Sequence, residues 1–248
     1  MTDDGFRVLA TIPHMSQDRS VRTDSGRRQF LRAVVSGAVV GVVAPAAFNL
    51  GAPEKLSAQT ILSPDAALQQ LVEGNQRFAS NRLTSIGHDL AVQREQTAGK
   101  QEPFAAVLAC ADSRVPVELV FDQTIGHLFV TRVAGNIVTP EIIGSLEYGV
   151  AELGIKALLV LGHASCGAVK AAMKAEPVPG QISSLYPHIQ QAVEQSGGNL
   201  DKAIEVNAKI QAELLRSSST VIRDAVKAGK LKVESGVYDL ATGKVRLN

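Results

Sequence analysis

The sequence predicts an α/β domain built on a mostly parallel sheet of about four strands plus an antiparallel edge strand, flanked by helices and preceded by a helical arm. Three observations predict it. Short, continuously apolar runs recur at "FAAVLAC" (104–110), "HLFVTRVAG" (127–135) and "IKALLVLG" (155–162). Helical periodicity fills the stretches between and after them. The tail "LKVESGVYDLATGKVRLN" reads as two strands joined at Thr242-Gly243. Runs that are apolar on both faces belong to strands covered on both sides, and helices alternating with them supply the cover.

The first 58 residues are of another kind. Arg27, Arg28 and Arg32 precede an uncharged, Val- and Ala-rich run from Ala33 to Phe48. That run is short and interrupted for a membrane span, which needs about 20 apolar residues, and it fits the apolar region of a signal peptide. The paired arginines followed by Gln29, Phe30 and Leu31 resemble a twin-arginine export signal. Small-residue cleavage sites follow at Ala44-Pro45-Ala46 and Leu56-Ser57-Ala58. The expectation is an exported, periplasmic or otherwise extracytoplasmic protein. An uncleaved membrane anchor is the alternative. Residues 1–58 are set aside as signal peptide and linker, leaving 59–248 as a single α/β domain.

Each element of that domain has a local reason. Ser63 caps a first helix and Pro64 suits its first turn, with Leu68, Leu71, Val72 and Phe78 on one face. A second helix is expected over Leu90–Thr97. "EIIGSLEYGVAELG" (141–154) places Ile142, Leu146, Val150 and Leu153 at helical spacing and stops at Gly154. "AVKAAMKA" follows the third apolar run as a helix, and two more helical segments are expected at 181–195 and 199–228. The whole chain carries a net charge of +1, with 45% apolar and 20% charged residues. No Lys/Arg cluster points to nucleic acid, so a membrane is expected only through the export signal.

Chemistry collects where the strands end. In parallel α/β sheets, functional groups gather beyond the carboxyl ends. The first apolar run ends at Cys110, opening "CADSRV", and the third stops just before His163 in "LGHASCGAV". If those strands are neighbours, Cys110, His163 and Cys166 converge. Two thiolates and an imidazole are a zinc ligand set with a fourth position left over. Asp112 can take that position, or Arg114 can hold Asp112 away from it by a paired hydrogen bond. A disulfide between Cys110 and Cys166 is the competing reading for an exported chain, and each motif taken alone reads more readily as buried packing residues.

"CADSRV" and "GHASCGAV", with "GHLFVTRVAGNIV" and "GSLEYGVAELGIKALLVLGH" between them in order and spacing, resemble the β-class carbonic anhydrases. The resemblance covers roughly residues 64–175 well and the C-terminal third more loosely. It implies one zinc ion per subunit on Cys110, His163 and Cys166, with Asp112 and Arg114 as the catalytic dyad. It implies Gln101, Phe129, Ala134, Tyr148 and Gly167 around the substrate, Ala134 standing where relatives commonly have valine. The implied reaction is reversible hydration of carbon dioxide to bicarbonate and a proton by attack of a zinc hydroxide. The implied assembly is a homodimer or a dimer-based oligomer, in which Gln101 and the aromatics reach the metal of the other subunit. In the closed arrangement known for the family, Asp112 itself is the fourth ligand. His88 and His127 are candidate proton shuttles, with surface or packing roles as the plainer reading. The same site acting on carbon disulfide or carbonyl sulfide, or a non-catalytic zinc-binding protein, are the alternative functions.

Overall fold

The computed structural model describes residues 60–248, so the leader, its cleavage sites and the export reading lie outside the described residues. Helix α1 (Pro64–Ala79) starts where Ser63 accepts a hydrogen bond from the Ala66 amide, and it buries Ala67, Leu68 and Leu71 against the sheet. Helix α2 (Leu90–Thr97), capped by Asp89, buries none of its residues and is the arm. Then follow β1 (Ala105–Ala109), a short α3 (Val117–Val120), β2 (Leu128–Arg132), α4 (Pro140–Ala151), β3 (Ala157–His163) and α5 (Gly167–Lys174). Helices α6 (Tyr186–Gln195), α7 (Leu200–Ser218) and α8 (Thr220–Lys227) lead to β4 (Lys232–Tyr238) and β5 (Val245–Leu247).

The sheet runs β2-β1-β3-β4-β5, with all neighbours parallel except the β4–β5 pair. The alternation of side chains along a strand divides the core between two faces. Ala105, Val107, Ala109, Leu159 and Leu161 meet α1 and α3 on one face. Ala106, Leu108, Leu158 and Val160 meet α4, α7 and α8 on the other. All seven residues of β3 are buried, which is why its run reads as unbroken apolar sequence. Gly74 lets α1 approach closely, since a Cβ there would sit 1.9 Å from the Phe121 carbonyl oxygen.

Strand order reverses at β1: β2 lies on one side and β3 on the other. Loops leaving β1 and β3 therefore diverge and open a crevice at their carboxyl ends.

Three expectations need correction. The strand expected over 127–135 stops at Arg132, because the chain turns through a 3-10 turn, Ala134–Asn136, with Gly135 at φ 75°. The segment 181–195 begins as a 3-10 turn, Ile182–Leu185, before α6. The single helix expected over 199–228 is two, broken at Ser219, whose hydroxyl accepts from the Ile222 amide to cap α8 and donates to Glu147. Among the described residues no helix is long and apolar enough to cross a membrane.

Candidate metal centre

Cys110 is the residue after β1, His163 is the last of β3, and Cys166 is the N-cap of α5. Parallel pairing of β1 with β3 puts Ala109 opposite Leu161, so the two chain ends emerge side by side. The turn after β3 is tight, with Ser165 at φ 56°, and it brings Cys166 back beside His163. The ligand atoms of Cys110, His163 and Cys166 all lie within 4.8 Å of one another, and all three residues are buried. The cysteines are free, so the disulfide reading does not describe this geometry.

The donor set fits a divalent cation. Nδ1 of His163 lies 3.0 Å from the Ala164 carbonyl oxygen, which can only accept, so the proton sits on Nδ1. Nε2 is left with its lone pair, buried and without a partner. An unpartnered buried nitrogen beside two buried thiols is costly unless a ligand takes it up. Between the thiols, Cys110 is the one that ionises. The hydrogen bond from Cys166 is the largest cause and outweighs burial, and the Gly135 and Asp112 amides add to it, pushing Cys110 well below the usual thiol value. Cys166 is pushed up, by that same bond to Cys110 and then by burial. The pair thus holds one proton, which a metal would displace.

Asp112 stands at the rim. Arg114 Nη2 donates to its Oδ2 at 2.7 Å, and Nε donates to its Oδ1 at 2.9 Å. The Arg114 amide also donates to Oδ1, at 2.9 Å. This paired grip, ahead of the opposing effect of burial, holds the carboxyl well below the usual carboxylate range. Its Oδ2 is 3.8 Å from His163 Nε2. The carboxylate is therefore ionised, aimed at the centre, and tied to Arg114.

Sequence reasoning missed Arg132. From the end of β2 it donates to the Cys110 carbonyl at 2.9 Å and to the Asp112 carbonyl at 2.5 Å. It clamps the loop that carries both groups. No local pattern marks it, because its partners are backbone atoms some 20 residues away. It also missed two amides on α7, Asn207 and Gln211; a polar pair four apart on an otherwise apolar face was the available signal.

The expected substrate residues divide. Ala134 and Gly167 lie at the carboxyl end, beside Gly135 and Cys166. Ala134 is half-buried, and Gly167 is exposed with open space where a Cβ would stand. Gln101, Phe129 and Tyr148 lie elsewhere. Gln101 is exposed and precedes β1, whereas Cys110 follows it, so the five residues of the strand lie between them. Phe129 pairs with Ala106 near the amino end of β1, and Tyr148 packs on it with ring centroids 6.3 Å apart. His127 is exposed at that same end.

Fold and site together define an α/β protein with a thiolate–imidazole metal site at a sheet switch point. The carbonic anhydrase family profile matches residues 105–245. Carbonic anhydrase 2 of Mycobacterium tuberculosis is 32% identical over 197 residues, covering 75% of this chain and 93% of that protein. A carbonic anhydrase of Mycolicibacterium smegmatis is 33% identical, with the same coverage of 75% and 93%. A Coccomyxa β-carbonic anhydrase, solved in complex with acetazolamide, superposes with a TM-score of 0.59 at 29% identity over 73% of this chain and 85% of that one. The chain belongs to the carbonic anhydrase family, in its β class, and its enzyme class is carbonate dehydratase.

Proposed function

We propose that this chain binds one zinc ion through Cys110, His163 and Cys166 and catalyses the reversible hydration of carbon dioxide to bicarbonate and a proton. The convergence of those three donors within 4.8 Å carries the reading, in a chain of this family. When bound, the ion supplies a Lewis acid that makes water nucleophilic near neutral pH.

The chain's own residues do the rest. Asp112 is an acceptor rather than a proton carrier, since Arg114 keeps it ionised throughout the physiological range. It takes a hydrogen bond from the attacking water and so aims an oxygen lone pair at carbon. Engagement of both its oxygens by Arg114 supports the arrangement in which Asp112 stays off the metal. Arg132 keeps Cys110 and Asp112 in fixed register. Carbon dioxide is small, apolar and uncharged, so it needs an apolar wall, for which Ala134 and the open face over Gly167 are suited.

Gln101, Phe129 and Tyr148 are proposed to serve the site of a second copy. Their place at the opposite end of the sheet, with Tyr148 49% exposed, supports a homodimer as the smallest complete enzyme. The leader at 1–58 supports delivery of the folded chain outside the cytoplasm, and cell fractionation with a protease-protection assay checks that. Stopped-flow hydration of carbon dioxide by the zinc-loaded chain tests the activity. Turnover that depends on zinc is expected; no hydration between neutral and alkaline pH would sink the proposal.

A further inference from the structure

Helix α7 buries two amides, Asn207 at 1% and Gln211 at 0% exposure, on a face otherwise made of Ala203, Ile204, Ala208, Ala212 and Leu215. Buried amides on such a face are destabilising unless their hydrogen bonds are met. Two of theirs run to one segment. Gln211 Oε1 accepts from the Val138 amide at 2.7 Å, and Asn207 Nδ2 donates to the Gly135 carbonyl at 2.9 Å. Gln211 Nε2 donates to Asn207 Oδ1 at 3.2 Å and to the His188 carbonyl at 2.9 Å, which locks the pair.

The segment so held, Ala134–Val138, has little order of its own. It is one 3-10 turn with two successive left-handed residues, Gly135 at φ 75° and Asn136 at φ 44°. Its position depends on what grips it. The Gly135 amide donates to Cys110 Sγ at 3.3 Å, and a Cβ at Gly135 would meet Ile189 Cδ1 at 2.9 Å, so the backbone sits close between sulfur and α6.

We infer that Asn207 and Gln211 are positioning residues for the Cys110 sulfur, acting through the Ala134–Val138 segment and the Gly135 N–H. The inference rests on Cys110 being a metal ligand. An amide hydrogen bond to a ligating thiolate draws charge from the sulfur and fixes its direction. Such supporting bonds govern how firmly a ligand holds its metal and how much charge it donates. The amides reach the metal centre from α7, some 70 residues along the chain from the turn that they hold.

The test loads the full chain with Co2+, whose thiolate charge-transfer absorption reports the electron density on sulfur. Asn207→Ala is expected to move that band to longer wavelength, because a thiolate freed of its hydrogen bond gives up charge more readily. Metal release to a chelator should quicken about 10-fold. Leu215→Ala, one turn further along the same helix and with no hydrogen bond to the turn, serves as the stability control: it should lower Tm with band and release rate unmoved. Asn207→Ser, whose hydroxyl is too short to reach the Gly135 carbonyl, carries the same expectation if Asn207→Ala does not fold. Unchanged band and release in a folded Asn207 variant, or equal change in Leu215→Ala, overturns the inference. A wild-type chain that takes up Co2+ with no thiolate band overturns instead the ligand reading on which it rests.

Discussion

The two ends of one parallel sheet differ in almost every respect. At the carboxyl end, Cys110, His163 and Cys166 are buried, and Asp112, Arg114 and Arg132 are tied to each other or to the backbone. At the amino end, Gln101 and His127 are exposed, Tyr148 is half-exposed, and α2 buries nothing. The carboxyl end brings its three donor residues together within one chain. The amino end is furnished as a surface. Burial makes the first end costly to build and sensitive to single atoms, whereas the second gains its purpose, in the proposed dimer, from another copy.

Substitutions at the carboxyl end should separate metal from turnover. Cys166→Ser replaces a thiolate with a poor donor, and metal analysis should find zinc lost beyond the 10–100-fold weakening typical of a missing supporting bond. Stoichiometric zinc in that variant would remove Cys166 from the ligand set. Asp112→Ala should retain zinc yet lower kcat by about 100-fold, the scale of a misaimed nucleophile. An unchanged rate would take the dyad out of the mechanism.

The link between the ends should behave as a scaffold. Asp122 lies on the crossover from β1 back to β2 and is buried at φ 48°. It accepts from Arg77 Nε at 2.5 Å, from the Thr84 and Ser85 amides, and from the Thr84 hydroxyl. Burial alone would raise its pKa, but those bonds outweigh it and hold the carboxyl well below the usual range. Asp122→Ala should cost about 2–4 kcal/mol of stability by leaving Arg77 and two amides unpaired, read by denaturant unfolding, with zinc content intact. A folded-state pKa below the unfolded value of about 3.9 means that the stabilisation is present above that pH and lost as pH falls through the carboxylate range. Wild-type stability should therefore fall more steeply in acid than that of Asp122→Asn. Parallel acid curves would show that Asp122 contributes nothing by titration.

The smallest effect is expected at the amino end. Gln101→Ala should leave zinc and Tm unchanged and lower kcat/KM about 10-fold, the equivalent of one hydrogen bond of about 1.4 kcal/mol. Mixing it with a metal-free Cys110→Ser chain should place the intact halves of both in some sites. A loss of zinc in Gln101→Ala would show that the two ends are not separable in this way.

Much of this contrast was legible in the sequence because burial leaves a strong pattern. β1 and β3 read as unbroken apolar runs, and each delivers its ligand at the strand's end. What escaped was long-range or capped by a single atom. Ser219 breaks a helix through one hydroxyl while the apolar spacing continues across it. Arg132 acts on carbonyls, which sequence does not display. Asn207 and Gln211 act on a turn about 70 residues away. Side-chain chemistry announces itself at the centre, and the backbone contacts that hold it there do not.

The most direct test is X-ray absorption at the zinc edge of the loaded chain. Two sulfur scatterers at about 2.3 Å and one imidazole nitrogen at about 2.0–2.1 Å are predicted. A first shell of nitrogen and oxygen alone, or of a single sulfur, would contradict a centre built from Cys110, His163 and Cys166.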